Sequence, residues 1–218
     1  MRIILISGAV AGLIHVLSGP DHLTAVAPLA MSDGRRGWLT GWTWGLGHTS
    51  GIVCLAALAL MLRDWLPPID TLSAWGERLV GVALMGVGAW ALRRSASINS
   101  HAHRHGRRVH RHLHVRRGPA WFTRLGHAHA SFYMGILHGV AGSSHFFGVL
   151  PALALPSSAA GLTYVAAFGI GSVLAMTAFA ATMGLASERL GRAALPQRGM
   201  MRVSGLAALS VGAFWLLR

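Results

Sequence analysis

Six stretches of this chain are apolar over the length of a bilayer crossing, at about 3–31, 38–62, 71–92, 131–155, 159–186 and 199–217. About 20 apolar residues cross the hydrocarbon core as a helix. In lipid, only a helix or a closed barrel satisfies its own backbone groups. The runs are too long for barrel strands, which need only about 9–11 residues. Only 11% of residues are charged, against about 25% in soluble domains. The chain therefore reads as an all-α integral membrane protein with six transmembrane helices. Glycine and alanine recur throughout the runs, as expected where membrane helices pack backbone to backbone.

The first run is long for one span and contains its own interruption. It reads Gly12-Leu-Ile-His15-Val-Leu-Ser-Gly19-Pro20-Asp21-His22-Leu-Thr-Ala-Val-Ala-Pro28. Proline lacks the amide that would bond back to Val16, so the helix should kink or unwind there. An aspartate at the centre of a membrane helix costs roughly 2.5–3.5 kcal/mol on insertion scales, which makes it a functional residue by default. His15 and His22 are seven apart, about 10.5 Å along an unbroken helix. One metal ion holds its imidazoles at about 2.0–2.1 Å and cannot bridge that gap. Either the helix opens at Gly19-Pro20 and the two share an ion, or they serve successive stations along a path. The run starts with one arginine, like a signal peptide, but its polar residues and lack of an A-x-A site keep it in the mature protein.

Sliding the chain against itself by 123–124 positions aligns Gly12, His15, Gly19, His22, Val26 and Pro28 with Gly135, His138, Gly142, His145, Val149 and Pro151. Gly45 and Gly47 fall on Gly169 and Gly171, and Arg78, Gly81 and Gly88 on Arg202, Gly205 and Gly212. Each half has three spans, so the second must run through the membrane upside down. Inverted repeats are common in secondary transporters, with the site at the repeat interface. The expected division is a first repeat over 1–92, a His/Arg-rich cytoplasmic loop over 93–130 and a second, inverted repeat over 131–218. The first helix is broken mid-membrane in this reading, and a break in the fourth stays open. The second copy has Gly142-Ser143-Ser144 where the first has Gly19-Pro20-Asp21, so the site should be asymmetric.

All 19 basic residues are arginine. They concentrate in the links after the first, third and fifth runs, including nine from Arg93 to Arg124. The positive-inside rule then places both termini outside and the long loop in the cytoplasm of a bacterial inner membrane. Arginines set between apolar runs argue for loop charge against membrane lipid and exclude nucleic acid as the partner. The one cysteine, Cys54, excludes an intrachain disulfide and reads as a small packing residue. Seven tryptophans, Trp44 among them, read as interfacial anchors or helix-face residues.

The second run adds Trp44-Gly45-Leu46-Gly47-His48-Thr49-Ser50. His15, Asp21, His22 and His48, with His138 and His145 from the second half, make an imidazole-rich set. Such a set suits nickel, cobalt, zinc or copper and lacks the oxygen ligands of magnesium or calcium. Thr49, Ser50, Ser143 and Ser144 are candidates to hydrogen-bond those ligands. The segment 101–114 reads His-Ala-His-Arg-His-Gly-Arg-Arg-Val-His-Arg-His-Leu-His. Dense histidine binds transition metals, whereas interleaved arginines oppose a cation; the alternative is a disordered basic loop on anionic lipid.

His15-x5-Asp21-His22 followed by Leu46-Gly47-His48-Thr49-Ser50 resembles the nickel/cobalt transporter family, which includes the UreH-like (NicO) proteins. The resemblance covers about the first 60 residues, with 138–145 as a degenerate partner. It implies metal-recognition roles for His15, Asp21, His22 and His48. The first histidine stands one residue further from Asp-His than in the best-known nickel permeases, so high-affinity uptake does not carry over from the resemblance.

The expected function is secondary transport of a divalent transition metal, nickel or cobalt foremost, with the ion as substrate, no resident cofactor and no enzymatic activity. No ATP-binding motif is present, so energy comes from an ion gradient, the membrane potential or a partner. A second copy and a metallochaperone are the candidate protein partners. Two alternatives stay open: a sulfite or organosulfonate-type anion exporter, and a metal-sensing protein acting through the histidine-rich loop.

Overall fold

The computed structural model describes residues 1–61, 69–105, 108–115, 126–141, 148, 150–190 and 194–217. Helices occupy the six apolar runs. They are α1 (Arg2–Ser18), α2 (Pro20–Asp33), α3 (Gly37–Met61), α4 (Ile69–Ala96), α5 (Gly126–Val140), the short α6 (Leu150–Leu153), α7 (Ser158–Leu190) and α8 (Ala194–Leu217). Among the described residues, α7 and the Gln197–Leu217 part of α8 are each long and apolar enough to cross a membrane alone. Arg2–Ser18 and Pro20–Leu55, which runs on into α3, pass the same test together as a bent pair. Apolar side chains also cover much of the outer surface: Ile3 is 82% exposed and Val203 67%. With the long apolar helices, that surface marks a multi-pass membrane protein.

The break falls where proline requires it. α1 stops at Ser18, Gly19 is extended with φ −87° and ψ 103°, and Pro20 opens α2, where a missing amide costs nothing. Arg2–Ser18 and the stretch Pro20–Leu55 are bent by 73° at this break. Asp21 lies in the first turn of α2, beside the positive end of that helix's dipole. A break in the fourth run is not described: α5 ends at Val140 and α6 starts at Leu150, with 142–147 and 149 outside the described residues.

α3 lies between α5 and α7, α1 packs along α7, and α4 pairs with α8. Glycine makes each of these approaches possible. A Cβ at Gly12 would strike the carbonyl of Phe168, and one at Gly171 that of Ala9. On the other pair, a Cβ at Gly135 would strike Trp44 and one at Gly47 would strike Phe132. Gly81 and Gly212 face each other's backbones across α4 and α8, as do Gly88 and Gly205.

At one end of the bundle the short link after α2 forms a 3-10 turn, Gly34–Arg36, as its polar sequence predicts. Gly34 has φ 58°, a left-handed conformation that favours glycine. The Arg35 amide donates to Glu188 Oε1 at 3.0 Å, and Ser187 Oγ donates to Met31 O at 3.0 Å. These bonds tie the end of α2 to the end of α7. Cys54 is exposed on α3 and not packed in the interior, because the apolar face it shares is turned outward.

The long connection is more ordered than its polar sequence suggests. β1 (Ile98–His105) and β2 (Arg108–Val115) pair as an antiparallel ribbon, with Ile98 opposite Val115 and His105 opposite Arg108. β1 contacts α4 and α8. The ribbon is the exception to an otherwise helical described chain.

The glycine contacts make a graded prediction. Gly12→Ala or Gly135→Ala should destabilise the detergent-solubilised protein by about 1–3 kcal/mol, the usual cost of overpacking. A Cβ added at Gly86 would meet nothing within 4 Å, so Gly86→Ala should be neutral or gain up to about 1 kcal/mol from helix propensity. Thermal unfolding of the three variants checks this ordering.

Candidate metal centre

The bend at Gly19 turns His22 back onto the end of α1. His15 and His22 come to 4.7 Å between ring centroids, at 80° to one another. The straight helix that would hold the two rings apart does not occur. His48 arrives from α3, with its ring stacked on His15 at 5.4 Å and 14° and His22 edge-on to it at 5.2 Å and 87°. One ligand nitrogen from each of His15, His22 and His48 lies within 4.8 Å of the other two. Small ring rotations close that spread onto an ion at about 2.0–2.1 Å per nitrogen. All three side chains are buried, at 2%, 2% and 0% exposure.

Asp21 sits beside this cluster and acts through His22. His22 Nδ1 lies 3.0 Å from Asp21 Oδ1, and both groups are buried. A carboxylate only accepts, so the proton is on Nδ1 and the Nε2 lone pair is left for a ligand. Carboxylate–histidine pairs of this kind fix the tautomer and raise the basicity of metal-binding imidazoles. His22 Nε2 and both ring nitrogens of His48 have no hydrogen-bond partner among the described residues. Buried polar atoms are normally paired, and a cation could partner His22 Nε2 and one ring nitrogen of His48.

His138, from α5, is buried 5.5 Å from His22 between ring centroids, and its Nδ1 donates to Met134 O at 3.0 Å. It stands beside the three-imidazole group but is not a member of it. His145 lies outside the described residues, as do Ser143 and Ser144. Thr49 Oγ1 donates to Gly169 O and Ser50 Oγ to Leu46 O. These backbone bonds take the place of the expected bonds to metal-binding imidazoles.

Two aromatic side chains complete the site. Trp44 is fully buried and stacked on His48 at 4.8 Å and 16°, with His22 edge-on at 5.2 Å and 75°. Phe168 lies against His15 at 5.4 Å. The order Trp44, His48, His15, Phe168 makes one column, with His22 set edgewise against its side. Trp44 is therefore not the interfacial anchor expected from its type. Its spacing of four from His48 places both on one helix face, a signal the sequence did carry. Trp38, Trp42 and Trp75 are exposed, as anchors should be.

Nickel or cobalt binding to purified protein should fall about 10- to 100-fold in Asp21→Asn, the usual loss when a carboxylate supporting a metal-bound histidine is removed. His48→Ala should reduce it further, because a ligand itself is lost. Acidification should release the ion, since each bound imidazole must be deprotonated. Isothermal titration across pH, in protein without a histidine tag, measures all three.

Comparison with known proteins gives relatives that match most of this chain. The chain is 34% identical over 209 residues to the chloroplast protein FOR GROWTH AND FERTILITY 1 of Arabidopsis thaliana, covering 94% of this chain and 56% of that protein. It is 35% identical over 188 residues to FOR GROWTH AND FERTILITY 2, covering 84% and 48%. The chain thus spans about half the length of these two relatives. It is 27% identical over 216 residues to the urease accessory protein UreH of Bacillus sp. strain TB-90, covering 98% of this chain and 90% of that one. No family model matches the chain, and no solved structure does. Over nearly its full length, the chain is a homologue of the UreH urease accessory protein and of these two chloroplast proteins, in keeping with the UreH-like motifs at His15–His22 and Leu46–Ser50.

Proposed function

We propose that this protein is a secondary transporter of a divalent transition metal, nickel or cobalt foremost, bound by intramembrane histidine and aspartate. The observation that carries this reading is the convergence of three buried imidazoles at a helix break. Neutral nitrogen donors suit borderline cations such as nickel and cobalt better than magnesium or calcium. Asp21 supplies the one negative charge against the cluster and offsets part of the cost of dehydrating the ion. His138 is read as a second station beside the first, and His145, aligned with His22 by the sequence repeat, as a further candidate ligand.

The pattern of helix contacts supports two inverted repeats, 1–92 and 131–218, joined through 93–130. With a shift of 123–124, the contact of Gly12 with Phe168 and Ser172 corresponds to that of Gly135 with Trp44 and His48. The contact of Gly47 with Phe132 corresponds to that of Gly171 with Ala9. The pairs Gly81–Gly212 and Gly88–Gly205 exchange with one another. Trp44 and Phe168, at the two ends of the aromatic column, are likewise repeat partners. A site between the halves is where alternating access by rocking one half on the other would expose the ion to each side in turn.

The arginine distribution favours termini outside and the 93–130 connection in the cytoplasm of a bacterial inner membrane. Two of the relatives are named as chloroplast proteins.

Cells expressing the protein should differ from controls in accumulation of radiolabelled nickel or cobalt, and His22→Ala or Asp21→Asn should abolish the difference while leaving membrane insertion intact. Unchanged metal flux in both variants would sink the proposal. Deleting 101–117 should leave residual flux if the intramembrane site is the transporter, whereas a sensor acting through the loop would lose its whole response.

A further inference from the structure

Gly19 adjoins the helix break, yet its backbone does not require glycine. At φ −87° and ψ 103° it is extended, a region open to every L-residue and the one favoured ahead of a proline. What occupies the space where a side chain would stand is His22. A Cβ built on Gly19 would come to 2.2 Å from His22 Nδ1 and 2.9 Å from Asp21 Oδ1, the two atoms that share the 3.0 Å hydrogen bond. The Asp21–His22 pair is therefore folded back over the bare Cα of Gly19. The imidazole has little room to give way, because His15, Trp44, His48 and His138 crowd it at ring-centroid distances of 4.7, 5.2, 5.2 and 5.5 Å. The sequence carries an independent sign of the same constraint. The second half lacks the proline and the aspartate, reading Gly142-Ser143-Ser144-His145, but it keeps glycine three residues before histidine. In both halves the glycine accompanies the histidine, and in only one the proline.

We propose that Gly19 is a positioning residue of the metal centre: its missing side chain is the space that lets His22 lie over the break, with Nδ1 on Asp21 and Nε2 left for the ion. Pro20 and Gly19 then have separate tasks. Pro20 ends α1 through the hydrogen bond it cannot make, and Gly19 leaves the room into which His22 turns. A methyl group at position 19 keeps the break, since alanine adopts this backbone conformation, and displaces the imidazole from Asp21. The ion in this assignment rests on the metal reading proposed above; the fit of His22 against Gly19 does not.

The test pairs a thermal measurement without metal with an absorption spectrum in Co²⁺, both on the full chain in lipid nanodiscs without a histidine tag. Without metal, Gly19→Ala should lower the unfolding midpoint of the otherwise unchanged chain. In a His22→Ala background the same substitution should leave the midpoint unchanged or raise it, because the ring is gone and alanine restricts the unfolded chain more than glycine does. A Gly19→Ala chain that does not fold, beside a double variant that does, gives the same answer. Equal lowering in both backgrounds, or lowering in neither, would overturn the proposal. In Co²⁺, the difference between the unchanged chain and His22→Ala isolates the absorption that depends on this imidazole. Gly19→Ala should shift the spectrum toward that of His22→Ala and weaken cobalt binding about 10- to 100-fold, as loss of a carboxylate supporting a metal-bound histidine does. Gly81→Ala, whose Cβ would crowd Gly212 O at 2.9 Å across α4 and α8, should keep the spectrum and so separates positioning from general destabilisation. A Gly19→Ala chain with unaltered cobalt spectrum and affinity would also overturn the proposal. If the unchanged chain and His22→Ala give one spectrum, the metal reading fails, and the thermal comparison alone decides the role of Gly19.

Discussion

The candidate metal centre depends on one missing hydrogen bond. Pro20 cannot donate to Val16, and Gly19 takes an extended conformation that ends α1 one residue earlier. On a continuous helix His15 and His22 would be about 10.5 Å apart along the axis. The 73° bend brings their rings to 4.7 Å. The same bend leaves Asp21 in the first turn of α2, where the helix dipole favours a carboxylate and where it reaches His22. One backbone interruption thus positions two buried imidazoles and the carboxylate bonded to one of them.

The third ligand depends on a different constraint, the absence of side chains. His48 reaches His15 and His22 because α3 is held tightly between α5 and α7. That approach requires glycine at 45 and 47 on α3, at 135 and 139 on α5 and at 169 on α7. Lipid provides no hydrophobic force between helices, so close backbone packing and its dispersion contacts hold such a bundle together. The glycines that look like low-information background in an apolar sequence therefore determine where the imidazoles meet. Trp44 and Phe168 then close the two ends of the column, and His22 Nε2 and the ring nitrogens of His48 have no hydrogen-bond partner among the described residues.

Polar chemistry is distributed on two levels. The buried cluster gathers three imidazoles and one carboxylate inside the helical bundle. The ribbon register puts its six histidine positions on one face, with Arg104 and Arg111 on the other and Arg108 opposite His105. In the first case burial and the helix break do the arranging, and in the second the two-residue period of a β-strand does it.

Much of this was legible in the sequence. Apolar runs of bilayer length located the helices, because length and hydropathy alone decide membrane insertion. The Gly19-Pro20 break followed from proline's missing amide, and the ligand types of His15, Asp21, His22 and His48 from the cost of polar groups in lipid. What the sequence left open was which of those residues meet. Trp44 looked like an anchor, Thr49 and Ser50 like partners of the ligands, and Cys54 like a core residue, because each was judged by type and depth along a helix. Rotation about the helix axis settles these roles, and it is set by which face meets a neighbouring helix. Glycine contacts between α3, α5, α1 and α7 decide that face, and several of them join residues more than a hundred positions apart.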